Sequence, residues 1–168
     1  RLGGRLAVGD EGAYDFADTC DLDDVRSVIA RQIAYNTAIA QEGLSGKWGA
    51  AVGKTLLDVW GRDNIRIRAR AMAAAGSDAR MSGCEMPVII NSGSGNQGMT
   101  ITLPIIEYAK HDGVGEDRLY RALILANLCA IRQKILIGCL SAYCGAVSAG
   151  CAAGAGIAYI NGGNLHLI

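Results

Sequence analysis

Apolar positions return every three to four residues along most of this chain, the spacing of helices that bury one face. Asp21 stands as an N-cap ahead of Val25, Val28, Ile29 and Ile33, with Asp23 and Asp24 in the positive first turn. That pattern predicts a helix ending near Gly43. A second is expected from about Trp48 to Trp60, stopped by Gly61, and a third after Asp63-Asn64 with Arg66, Arg68 and Arg70 on its wet side, fading between Gly76 and Gly83. Met86-Pro87-Val88-Ile89-Ile90 is short, β-branched and led by proline, so it reads as extended. A glycine loop from Ser92 to Gly98 follows, then a helix from Met99 to about His111 in which Pro104 marks a kink or the true first turn. Glu116 and Asp117 open another helix whose Leu119, Leu123, Leu125 and Leu128 make it apolar nearly all round, hence buried. One extended segment among six or so helices makes the class all-α. Residues 1–20 are Gly-rich and read as an irregular linker or the tail of a preceding domain, and residues 21–168 as one helical domain, incomplete at its C-terminus.

The totals narrow the partners. A chain of 168 residues can bury one core, and sixteen basic against sixteen acidic residues remove the electrostatic case for nucleic acid or an anionic membrane. A small substrate or a protein surface fits better. Six cysteines show no short disulfide framework, and four of them sit in apolar helix-like sequence, which points to reduced thiols in a cytoplasm. From Ile135 to Ile160 no residue is charged, a length that could span a bilayer. Five glycines, Ser141, Tyr143 and Ser148 within it argue instead for tight helix packing, with no membrane span expected.

Three short motifs bear on chemistry. Gly93-Ser94-Gly95-Asn96-Gln97-Gly98 satisfies G-x-G-x-x-G, but no second strand ending in an acid follows at the distance a dinucleotide fold needs. What survives is a helix N-terminus with free N–H groups, lined by Ser92, Ser94, Asn96 and Gln97: either a place for a carboxylate or a glycine turn with capping side chains. Val52-Gly53-Lys54-Thr55 resembles the end of a P-loop, yet Trp48 stands where its first glycine should be. Cys144 and Cys151 are seven residues apart, which on a helix separates them by about 10 Å along the axis. One metal ligand is therefore expected from the pair rather than two. Cys20, Cys84, Cys129 and Cys139 read as small buried hydrophobes, and His111 and His166 are too isolated for a Cys/His metal site.

Larger blocks carry a family likeness. Tyr14-Asp15-Phe16-Ala17, Asn36 with Ile39-Ala40-Gln41-Glu42-Gly43-Leu44, Asp78-Ala79-Arg80-Met81, Asn91 to Gly98, and Leu140 to Cys151 with Gly154-Ala155-Gly156 together resemble bacterial L-cysteine desulfidase and its serine dehydratase α-chain-like relatives. The resemblance implies a cytoplasmic [4Fe–4S] lyase that eliminates H₂S from L-cysteine, or water from L-serine, to give pyruvate and ammonia. It places Cys144 at the first cluster ligand, which with the spacing assigns Cys151 to packing, and makes Ser92, Ser94, Asn96 and Gln97 candidates to hold the amino acid's carboxylate. The other cluster ligands and the catalytic base of the family have no match here, so no catalytic residue is assigned to this chain. On its own it is expected to bind no cluster and to be inactive.

Two further expectations follow. The glycine-rich stretch Ser141 to Tyr159 is expected to drive self-association into a homo-oligomer, weakened by a bulky charge at Ala149. The reading from another class is a non-catalytic helical binding or assembly domain.

Overall fold

The computed structural model of the chain describes residues 9–138 and 142–166. Among them stand seven helices and no strand: α1 (Asp10–Thr19), α2 (Leu22–Gly43), α3 (Val52–Trp60), α4 (Ile65–Met81), α5 (Gly95–Asp112), α6 (Glu116–Ile137) and α7 (Gly145–Ile160). The all-α class stands. No described helix is long and apolar enough to cross a membrane.

Helix α5 is the axis of the domain. Met99, Ile101, Leu103, Ile105, Ile106 and Ala109 leave almost no surface exposed, because α2, α4, α6 and α7 pack around them. One apolar cluster joins α1 and the first half of α2 to α5, α6 and α7, and a smaller one, with Ile39, Met72, Met99 and Leu103, lies between α2, α4 and α5. Small residues set the spacing. A Cβ at Gly43 would collide with the Ala75 carbonyl, and one at Gly53 with that of Ala71, so α2 and α3 lie directly on the backbone of α4.

Several boundaries differ from the pattern, each for a local reason. Residues 10–19 are helical rather than irregular: Ala13 and Ala17 bury against α6, and Arg121 donates to the Ala17 and Cys20 carbonyls at the helix end. The helix expected from Trp48 begins at Val52, since Gly49 and Ala51 both take positive φ. The Asp78 carboxylate replaces the missing cap by accepting the Val52 N–H at 2.7 Å. Val28, placed on the buried face of α2, is half exposed; that face instead runs through Leu22, Ile29, Gln32, Asn36 and Ile39. Asp21 and Asn64 cap α2 and α4 as the sequence indicates.

The Ala/Gly-rich stretch also behaves differently. Ala149, Ala152 and Ala153 are buried inside this chain against α5 and α6, so a charge at Ala149 would break the domain rather than a dimer. What α7 leaves outside is the side bearing Tyr143, Val147, Gly150, Cys151 and Gly154. Cys139, Leu140 and Ser141 lie outside the described residues.

Candidate functional site

The glycine motif is built from the residue before it. Asn36, fully buried on α2, accepts the Ile89 N–H at 2.9 Å and donates to the Ile89 carbonyl and to Thr102 Oγ1. Thr102 in turn donates to the Gly98 carbonyl at 2.8 Å. One amide thus ties the Met86–Ile90 run to two helices. Among the described residues the run finds no strand partner; its backbone passes over the first turn of α5 so closely that a Cβ at Gly98 would strike the Ile89 carbonyl.

Asn91 turns the chain into the site. Its backbone exchanges both hydrogen bonds with Ser94, while its side chain donates to Asn127 on α6 and accepts from the Ser92 hydroxyl at 2.7 Å. Asn127 pairs in both directions with Gln32 of α2, so a polar network runs beneath the turn. Ser92 sits at φ 52°, a left-handed conformation that a non-glycine residue adopts at a cost. Ser94 is the N-cap of α5, accepting the Gln97 N–H, so Gly95 to Gly98 form the first helical turn rather than a loop.

Two more elements meet this turn. From the last turn of α4, Arg80 donates to Asn96 Oδ1 at 3.1 Å and lies against Gly95, where a side chain would displace it. No carboxylate among the described residues pairs with Arg80. The Gln97 side chain rests on Gly145, the first residue of α7, and fills the space a Cβ there would need. Further along, Ile105 fills the space beside Gly156, so α5 and α7 run parallel with their N-termini together. Cys144, the N-cap residue of α7, is exposed at that junction.

The structure therefore gathers Ser92, Ser94, Asn96 and Gln97 at one turn and brings Gln97 against the residue next to Cys144. Two helix N-termini, each with first-turn N–H groups the helix cannot pair, meet at Gln97 and Gly145, and the Arg80 guanidinium lies beside that of α5. Such an arrangement can hold a small carboxylate. Cys151, assigned to packing, is exposed two turns along α7 and lines a shallow groove with Leu136 and Val147; Cys20, Cys84 and Cys129 are partly buried and dispersed. Arg80 appeared in the sequence only as part of a block, and Gln32 and Asn127 not at all, although an Asn among the leucines and alanines of α6 was the visible signal.

Among the described residues no three His, Cys, Asp or Glu side chains gather as a metal site. Cys144 fits a single ligand position, exposed and on a framework fixed by Gly145, and a [4Fe–4S] cluster would need its remaining protein ligands from outside the described residues.

The serine dehydratase alpha chain family model matches residues 7–168, and this chain belongs to that family. It is 63% identical to a UPF0597 protein of Lachnoclostridium phytofermentans over 89% of this chain and 36% of that protein. It is 59% identical to a UPF0597 protein of Desulfitobacterium hafniense over 89% and 34% of the two chains. A UPF0597 protein of Treponema denticola is 45% identical over 98% of this chain and 39% of its own length. The chain thus spans little more than a third of the relatives it matches. No solved structure matches it significantly.

Proposed function

We propose that this chain forms the substrate-facing wall of an iron–sulfur-dependent lyase that eliminates H₂S from L-cysteine, or water from L-serine, leaving an enamine that hydrolyses to pyruvate and ammonia. The observation that supports this most is the convergence of the α5 and α7 N-termini, with Arg80 and Cys144, at one exposed junction. In this reading Arg80 and the first-turn N–H groups of α5 take the substrate carboxylate. Asn96 holds the guanidinium in place, and Ser94 and Gln97 set the rim of the pocket. Cys144 would hold one iron of the cluster, which would supply Lewis-acid chemistry at the substrate. The base and the other ligands come from the rest of the full-length protein.

The test is the anaerobic full-length protein, assayed for pyruvate with L-cysteine and with L-serine. Pyruvate from one of them is the expected result. Arg80→Met should raise KM roughly 10- to 100-fold, the worth of a charge-assisted hydrogen bond, with a smaller effect on kcat. No pyruvate from either amino acid would contradict the reading and favour a non-catalytic helical domain; an unchanged KM would remove Arg80 from it.

A further inference from the structure

A groove of about 630 Å³ runs along α5, with α4 and α7 as its walls. Thr100, Pro104 and Tyr108 form its floor, Ala69 and Ala73 one wall, Gly150 and Gly154 the other. Two independent features of these walls have no purpose within the described residues.

The first is the pair of glycines. Each glycine inside a helix costs about 1 kcal/mol relative to alanine. At Gly53, Gly76, Gly98 and Gly156 the structure explains that cost, because a neighbouring backbone or side chain occupies the space of a Cβ. Gly150 and Gly154 are the exception. They lie one turn apart on the same exposed side of α7, and no described atom lies within 4 Å of where either Cβ would be.

The second is charge. Arg66 and Arg70, also one turn apart, both line the groove and are exposed, and among the described residues neither meets a carboxylate. Like charges at that spacing repel. Arg68 between them is different, being paired at 3.2 Å with the buried Glu107 of α5.

We infer that the groove seats a helix from the part of the full-length protein outside this chain, its backbone close against Gly150 and Gly154 and acidic side chains facing Arg66 and Arg70. Small residues on both walls give the close approach that a helix needs to lie between two others. The relatives supply the length, since nearly two thirds of their polypeptide lies beyond the matched segment. A tethered helix also outcompetes a second copy, whose local concentration is far lower. The inference is independent of the proposed lyase activity.

The experiment is thiol labelling of the full-length protein carrying Ala73→Cys, on the α4 wall, with Gly154→Cys as a second site on α7. A bulky maleimide reports access, and the labelled peptide is identified by mass. The expected result is labelling of Ala73→Cys at least about tenfold slower than in denaturant, the same at all protein concentrations, and restored by adding Arg66→Glu and Arg70→Glu with helicity retained. Fast labelling of both native variants would overturn the inference. So would protection that disappears on dilution, which identifies a second copy as the occupant, and protection indifferent to the arginine reversals, which removes the acidic face.

Discussion

Asn36 shows how much of this site depends on one side chain. Its amide satisfies both polar groups of Ile89 and reaches Thr102, all at a position with no exposed surface. Asn36→Leu, nearly equal in size, would leave the Ile89 N–H and carbonyl unpaired in the interior at a cost of roughly 2–4 kcal/mol. Denaturant unfolding of the two proteins checks it, and a loss below 1 kcal/mol would mean the Met86–Ile90 run is held by other means. Tyr159 makes a different prediction. Burial, then the hydrogen bond it donates to Asp18 at 2.7 Å, pushes its hydroxyl up from 10.0 to about 12. The unfolded chain therefore loses this proton first as pH rises, so the contribution of Tyr159 is complete below pH 10 and is lost between there and about 12. Tyr159→Phe should lower stability below pH 10, where the hydroxyl's contribution is complete, and flatten the fall in stability over the interval above it. Neither role was visible in sequence. Asn36 stood there only inside a family block, and the Tyr159 partner lies on α1, in a stretch that glycine content had marked as irregular.

At the scale of elements, helices were legible wherever a cap and a repeating apolar face coincided, as at Asp21 and Asn64. They were misplaced where the deciding contact comes from elsewhere in the chain. The start of α3 is set by Asp78, twenty-six residues beyond Val52, and local sequence carries no sign of it. The start of α5 is the instructive case. Four residues with two glycines look like a loop, yet Ser94 caps them into a helical turn because Gly98 must pass beneath the Ile89 carbonyl. Gly98→Ala should therefore destabilise the protein by roughly 1–3 kcal/mol, the usual cost of overpacking, even though alanine is the better helix former. A gain in the thermal midpoint would show that the crossing is looser than described. The same element carries the candidate site, so the substitution should also weaken binding of any amino-acid ligand.

The whole molecule divides its surfaces by what they face. Inside, α5 is wrapped by four helices, and the alanines of α7 that looked like an exposed patch belong to that core. Outside, Tyr143 just before α7, Val147 on it and Leu136 at the end of α6 remain exposed and line one groove with Cys151. An apolar groove thus lies beside the start of α7, next to Cys144, the kind of surface other parts of a longer protein cover. The sequence made the parts of this site nameable, since Ser92 to Gln97 and Cys144 fall in distinctive blocks. It could not reveal that Gln97 and Gly145 touch, because parallel packing of α5 and α7 places residues almost fifty apart side by side.

That junction is the central claim, and the two exposed cysteines of α7 allow it to be tested directly. In the anaerobic full-length protein, Cys144→Ser and Cys151→Ser are compared by iron content, visible charge-transfer absorbance and pyruvate formation. The account predicts that Cys144→Ser loses the absorbance and the activity while its helicity is unchanged, and that Cys151→Ser keeps both. A Cys144→Ser protein that retains a full cluster and turns over substrate, or a Cys151→Ser protein that loses them, would contradict it.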